Sequence, residues 1–180
     1  AQTLYECYPA GSTEQLNAVQ MMLAIATQRN LSFEQSIQVV RAFLRRTSTT
    51  PEATQLVSKM LLDRLQFPDV TFEQARLVVD ALSYSATTGT LNEWESAADK
   101  LLAVMSSTAL PFAQLLEGTY TLYQVPVQSK RRLQAAQRLL DAVSRPDIGV
   151  KEITETGEAL SWNDHDEAGE RQRVITLLSS

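Results

Sequence analysis

The sequence predicts an all-α fold, an α-solenoid of four stacked helical hairpins with a repeat of about 39 residues. Three observations lead to this prediction. The 180-residue chain is 44% hydrophobic, which is enough to bury one core without a disulfide or a metal. Its apolar residues recur at helical spacings of three, four and seven, and the same pattern returns four times along the chain.

The repeat is visible at the position that opens the second half of each copy. An aromatic or β-branched residue stands there at intervals of 39, 40 and 38 residues: Phe33, Phe72, Phe112 and Val150. Eleven and ten residues earlier, each copy carries a pair of long apolar side chains: Met22 with Leu23, Leu61 with Leu62, Leu101 with Leu102, and Leu139 with Leu140. We expect the three phenylalanines to be buried under the apolar pair of their own hairpin.

Each copy is predicted to contain two helices. The first helices are expected at 13–29, 51–66, 91–106 and 127–144, and the second helices at starts near Ser32, Thr71, Pro111 and Gly149. Ser32 with Gln35, and Thr71 with Gln74, have the spacing of a capping box, in which each side chain accepts a hydrogen bond from the other residue's backbone amide. These pairs predict where the second helices begin.

The four copies divide the chain into a repeat domain and a tail. The repeats are expected at about 12–49, 50–89, 90–125 and 126–163, within a helical-repeat domain of residues 1–163. A lone hairpin cannot bury its apolar face, so neighbouring copies are expected to stack. Residues 164–180 form an acidic tail, in which 171–178 is either a capping helix or part of a disordered segment.

Residue types exclude several kinds of chemistry. His165 is the only histidine, which leaves no zinc site of the usual Cys and His kinds, and a hydrolase would need a pocket around it. The six glycines are scattered, so no phosphate-binding loop is predicted. We therefore expect no catalytic residue, no cofactor, no metal and no small-molecule substrate, and we interpret the chain as a binding protein rather than an enzyme.

Composition also bounds the compartment. No apolar stretch is long enough to span a membrane, and the single cysteine, Cys7, cannot form an internal disulfide. An intracellular reducing compartment is expected, either the cytoplasm or a mitochondrial or plastid matrix. The net charge of −5 comes from residues 146–180, which hold 8 acidic and 3 basic side chains, because residues 1–145 hold 13 of each.

The candidate partner-binding residues are cations and one aromatic side chain. They are Lys130, Arg131, Arg132 and Arg138 of the fourth copy, Arg45 and Arg46, which follow Arg41 in the first copy, and Trp94 of the third. Cations are unfavourable at a helix N-terminus. The run of cations that begins at Lys130 therefore indicates a binding role in addition to exposure to solvent. Trp94 stands where the other copies carry polar residues, which predicts that it faces outward or towards the adjacent repeat.

The second-helix segment Val70–Leu82, with the sequence VTFEQARLVVDAL, resembles the corresponding helix of octotricopeptide and heptatricopeptide repeats. The hairpin layout is also similar to HEAT and armadillo repeats, and the likeness covers about residues 12–162. The resemblance implies a solenoid that binds along an extended surface, in the first case in organellar RNA processing, and it implies no catalytic residue.

The sequence leaves two hypotheses for function. The first is a scaffold that binds protein partners in a larger assembly, possible settings including organellar RNA processing. The alternative is a module that binds single-stranded RNA directly, in which case cations should recur at equivalent positions of successive repeats. At the positions of Arg131 and Arg132 the first copy has Glu14 and Gln15, which favours a protein partner.

Overall fold

The computed structural model describes residues 12–26, 31–44, 51–67, 69–83, 91–107, 109–124, 130–145, 148–161 and 176. Within these residues the chain forms eight α-helices and no strand. The first helices of the successive pairs are α1 (Thr13–Ala26), α3 (Pro51–Arg64), α5 (Leu91–Ser107) and α7 (Lys130–Val143). The second helices are α2 (Phe33–Leu44), α4 (Phe72–Ser83), α6 (Phe112–Tyr123) and α8 (Val150–Ser161). The predicted all-α class is confirmed.

The second helices begin where local capping chemistry allows. Ser32 and Gln35 form a reciprocal capping box: the Ser32 amide donates to Gln35 Oε1 at 2.9 Å, and the Gln35 amide donates to Ser32 Oγ at 3.2 Å. Thr71 and Gln74 repeat the arrangement at 3.1 and 3.3 Å. Each box satisfies one amide of the first turn, which has no partner within the helix, together with the amide of the capping residue itself. Both predicted capping boxes are confirmed.

The starts of α6 and α8 lack a hydroxyl cap. Pro111 precedes α6 without a side-chain hydrogen bond, and its missing amide removes one donor that would otherwise need a partner. Gly149 precedes α8, and its amide donates to Glu152 Oε2 at 3.2 Å, which is half of a capping box. In α8, the acceptor at the third residue of the helix, Glu152, is therefore present although the capping hydroxyl is absent.

Helix α3 ends two residues before the predicted end at residue 66. The Leu65 amide donates to the Leu62 carbonyl at 2.9 Å, a bond across three residues that tightens the last turn. The α-helix accordingly ends at Arg64. Residues 27–29 and 127–129, which the sequence also assigned to first helices, lie outside the described residues.

The chain divides into two compact units, Ala1–Lys100 and Leu101–Ser180. In the first unit α1 contacts α2 and α3, α2 contacts α3 and α4, and α3 contacts α4. Each helix thus packs against its partner in the hairpin, and helices of the same kind pack against each other. The core between them contains Val19, Ile37, Val57, Leu61 and Val78, all almost fully buried.

The second unit has the same kinds of contact. Helix α6 packs against α7 and α8, and α7 packs against α8. Tyr123, Ala136, Leu140 and Leu160 form a buried cluster, and Ile153 packs against its edge. Alanines on α7 let the neighbouring helices approach, while leucines fill the remaining space.

The phenylalanine position is only partly as predicted. Phe72 is buried, but Phe33 and Phe112 are half-buried and Val150 is 73% exposed. The position is the first residue of each second helix, at the end of the helix pair, where fewer neighbouring turns can cover a side chain. The expectation of equal burial at Phe33 and Phe112 was therefore wrong.

No helix in the described part of the chain combines the length and the apolar character that crossing a membrane requires. The acidic tail, 164–180, lies outside the described residues except for residue 176, and so do His165 and the segment 171–175.

Candidate interaction surface

The exposed side of α7 carries three of the six cations predicted to bind a partner, Lys130, Arg131 and Arg138. Lys130 is exposed, Arg131 and Arg138 are half-exposed, and Arg145 is exposed just beyond the helix. Arg131 and Arg138 are seven residues apart, so they lie on one side of the helix about 10 Å apart. Arg145 follows seven residues later, beyond the end of the helix. We call Lys130, Arg131, Arg138 and Arg145 the basic face of α7.

Electrostatics of the helix favour an anion at this face. No acidic residue stands in the first turn of α7, where the helix dipole is positive and Lys130 and Arg131 add further positive charge. Asp141, the only acid of the helix, is exposed one turn after Gln137 and accepts a hydrogen bond from the Gln137 amide group. The N-terminal half of the basic face therefore contains no carboxylate of α7 itself.

Arg132 does not belong to that face. It is buried, and its guanidinium carbon lies 4.3 Å from the centre of the Tyr123 ring. Arg132 precedes Ala135, Ala136 and Leu139 at helical spacing, and all of these are buried, so its side chain lies on the core side of α7. The prediction that Arg132 contacts a partner was wrong; it forms a cation–π contact within the unit.

Trp94 is fully buried, which contradicts the outward one of its two predicted orientations, while the orientation towards the adjacent repeat stays a prediction. It starts a stripe with Ala97, Ala98 and Leu101, each with no exposed area, and the two alanines leave room for the indole ring. The polar residues at equivalent positions were misleading, because Thr54 is buried as well. Contact of Trp94 with a partner would require the core to open.

The second predicted cluster is only partly described. Arg45 and Arg46 lie outside the described residues. Arg41, which the sequence grouped with them, pairs with Asp80: its Nη2 lies 2.7 Å from Asp80 Oδ2, and both side chains are largely covered. Arg41 therefore joins α2 to α4.

Glu34 and Glu73 occupy equivalent positions on α2 and α4. A hydrogen bond from the Arg76 guanidinium lowers the pKa of Glu73 below its ordinary 4.5, and the Glu34 charge acts in the opposite direction. Arg76 Nε donates to Glu73 Oε2 at 2.9 Å, and a second, shorter bond joins Nη2 to Oε1. This part of the second-helix surface is occupied by internal pairs.

In the second unit, the second helices bring Tyr120 near two carboxylates. Burial raises the pKa of the Tyr120 phenol above its ordinary 10.0, and the charges of Glu158 and Glu155 on α8 raise it further. Glu155 also pairs with Lys151 across one turn, at 3.7 Å. These residues were not among the predicted site residues, although Tyr120 and Glu158 stand at the same position of two predicted repeats.

A further surface that the sequence analysis missed lies on α1. Met21 is 55% exposed and Ile25 is 38% exposed, one turn apart on the same helix. Ala18, between Glu14 and Met21 on that side, is buried.

Among the described residues, no group of three His, Cys, Asp or Glu side chains could hold a metal ion. Comparison of the chain with family models, with curated proteins and with solved structures found no match.

Proposed function

We propose that the chain is a non-catalytic scaffold, an α-solenoid of four helical hairpins, which binds an acidic segment of a partner protein through the basic face of α7. The observation that carries the partner class is the row of cations along α7, in which Lys130 and Arg145 are exposed and Arg131 and Arg138 are half-exposed. The repeat architecture rests on separate contacts.

Packing of equivalent positions supports the solenoid. Arg41 and Asp80 are 39 residues apart, one repeat, and their side chains form an ion pair between α2 and α4. Helix α6 likewise contacts α8, and α1 contacts α3. The four second helices each contain 12 residues and start at intervals of 39, 40 and 38. Helices of equal length packed in equivalent register are what stacked repeats require.

The distribution of charge favours a protein over RNA. At the positions of Arg131 and Arg138, the first repeat has Glu14 and Met21, the second has Ala53 and Met60, and the third has Glu93 and Lys100. Only one of these six positions carries a cation. A reader of single-stranded RNA tracks the backbone with cations along its whole groove. A single basic helix instead matches one acidic segment of limited length.

Leu133 adds an apolar contact beside the cations. It is 40% exposed and stands one turn after Lys130 on α7. A partner segment with a carboxylate opposite Lys130 could also cover Leu133, whereas Arg131 and Arg138 lie on the other flank of the exposed side. Phosphate backbones offer the charges but not the apolar group.

The alternative function is direct binding of single-stranded RNA through the same cations. The likeness of Val70–Leu82 to octotricopeptide and heptatricopeptide repeats supports an RNA-processing assembly as the setting for either function. Affinity purification of the full-length protein, with and without ribonuclease, distinguishes partners held by protein from partners held by RNA.

The direct test compares two labelled probes by fluorescence anisotropy: a helical peptide with glutamates at seven-residue spacing around a leucine, and an oligouridylate of similar length. We expect the peptide to bind at physiological salt and Arg131→Ala with Arg138→Ala to weaken it by about tenfold or more. The control, Lys59→Ala with Lys151→Ala, removes the same charge from other exposed sites and should change the affinity about twofold at most.

RNA binding has a different signature. If the oligouridylate binds more tightly, with log K falling about 0.7 per contact against log salt and the double arginine variant lowering that slope, the RNA-binding alternative replaces the proposed function.

A further inference from the structure

The second unit contains the basic face of α7 and, shortly after α8, a segment of opposite charge. Residues 164–170 have the sequence DHDEAGE, with four carboxylates and no lysine or arginine. We call them the acidic segment; they lie outside the described residues. The basic face consists of four cations, so the two groups match in number and are opposite in sign.

The last turn of α8 lies close to the first turns of α7. Leu160 belongs to the buried cluster that also contains Tyr123 and Ala136. The centre of the Tyr123 ring is 4.3 Å from the guanidinium carbon of Arg132. Arg132 stands in the first turn of α7, directly after Arg131. Helix α8 therefore ends near the N-terminal end of the basic face.

The chain between α8 and the acidic segment is long enough to join the two groups. Asp164 follows Leu160 by four residues, which span at most about 14 Å when extended. Lys130 and Arg138 are about 12 Å apart along the axis of α7. An extended segment of seven residues is up to about 25 Å long, so residues 164–170 can reach from the first of these cations to the second.

We infer that the acidic segment binds the basic face of α7 within the same chain and competes there with the acidic segment of a partner. The inference rests on the proposed function of this face and adds its regulation. A short tether gives a local concentration on the order of millimolar, which populates even a weak contact. Because the charges are exposed, salt weakens the contact, and a partner that binds more tightly displaces the segment.

Carbodiimide cross-linking tests the contact without any partner. The reagent activates a carboxylate, and a lysine amine that touches it displaces the activating group as a urea and forms an amide bond. Lys130 is the only lysine of the basic face. We expect mass spectrometry of the monomeric product to identify cross-links from Lys130 to residues 164–170, with a yield that falls about threefold or more in about 0.5 M salt.

The ion pair of Lys151 and Glu155, with 3.7 Å between Nζ and Oε1, is the internal control for the reaction. Its cross-link should form in the wild-type chain and in every variant, because the two residues are one turn apart on α8.

Removal of the negative charges should open the basic face to the glutamate peptide described above. Four substitutions neutralise the acidic segment: Asp164→Asn, Asp166→Asn, Glu167→Gln and Glu170→Gln. At low ionic strength they should raise the affinity for the peptide by about threefold or more.

A matched control neutralises four exposed carboxylates of the first unit. The substitutions are Glu14→Gln, Glu52→Gln, Asp63→Asn and Asp69→Asn. Because the net charge changes equally, a general electrostatic effect would appear in both variants, whereas we expect the control to change the affinity by less than about twofold.

Three outcomes would overturn the inference: absence of a cross-link between Lys130 and residues 164–170, equal effects of the two fourfold variants on the peptide affinity, or cross-links found only in a dimer. The last would assign the contact to a second copy of the chain. If the glutamate peptide binds neither the wild-type chain nor the variant, the proposed function fails, and the cross-link still shows whether the segment lies on α7.

Discussion

On the first helices, the position of a residue determines whether it is buried more than its polarity does. Arg132 is charged and buried, and Trp94 is large and buried, at corresponding positions of the predicted repeats. The cost of burying a guanidinium is offset in part by the face of Tyr123, which lies 4.3 Å away. Position on the helix, at the start of a buried stripe, determined where these side chains point.

Phe72 and Val150 stand at corresponding positions of the predicted repeats, but substitution by alanine should change the free energy of unfolding differently at the two positions. Phe72→Ala removes a buried ring and should lower the free energy of unfolding by about 3–5 kcal/mol. Val150→Ala, at the same repeat position but 73% exposed, should change it by less than about 0.5 kcal/mol. Urea denaturation measures both, and midpoints that move equally would show that the burial difference has no energetic consequence.

The ion pair between Glu73 and Arg76 gives a pH dependence with a definite sign. The pKa of folded Glu73 lies below 4.5, chiefly because Arg76 donates to its carboxylate. The unfolded chain therefore binds the proton more tightly, so the stabilisation is present above about pH 4.5 and is lost as the pH falls through the folded pKa. In a carboxyl-carbon NMR titration, Arg76→Gln should raise the pKa of Glu73 towards 4.5, and an unchanged pKa would contradict the assigned cause.

At the scale of the helix, the sequence predicted where helices begin better than which side of each helix is buried. Ser32 with Gln35 and Thr71 with Gln74 fix helix starts through bonds that span three residues, and such local signals are readable from sequence alone. The end of α3 was displaced because a tighter last turn at Leu65 carries no sequence signature.

The ion pair between Arg41 and Asp80 should couple α2 and α4 energetically. Arg41 and Asp80 link α2 to α4, and Asp80 is the more deeply buried of the two. In a double-mutant cycle of Arg41→Gln and Asp80→Asn, we expect a coupling of about 1 kcal/mol in the free energy of unfolding. Gln38→Ala, on the exposed side of α2, serves as a partner-free control for the cycle and should show no coupling to Asp80→Asn. Additivity of the two principal substitutions would mean that the pair does not link the helices.

At the scale of the whole chain, the all-helical class followed from apolar periodicity, because that pattern is set by the core. The residues of the candidate surface were predicted less completely than the fold class. Lys130, Arg131 and Arg138 remained outside the core, whereas Arg132, their neighbour in sequence, entered it. A charge run on a helix necessarily points in several directions, and only the packing of neighbours determines which cations reach solvent.

Met21 and Ile25 on α1 are apolar residues whose exposure could not be predicted from the sequence. Met21 and Ile25 read as core residues in a sequence, because apolar side chains at helical spacing usually are. Their exposure depends on what lies next to the first hairpin, which is a property of the assembled chain rather than of α1.

The burial of Trp94 also makes the chain its own optical reporter. Its indole Nε1 has no hydrogen-bond partner among the described residues, and the ring has no exposed area. An indole in such surroundings fluoresces at short wavelength and is shielded from collisional quenchers such as acrylamide. Any event that admits water to the indole of Trp94 would therefore be recorded as a red shift of its fluorescence, and a Trp162→Phe background removes the emission of the second tryptophan.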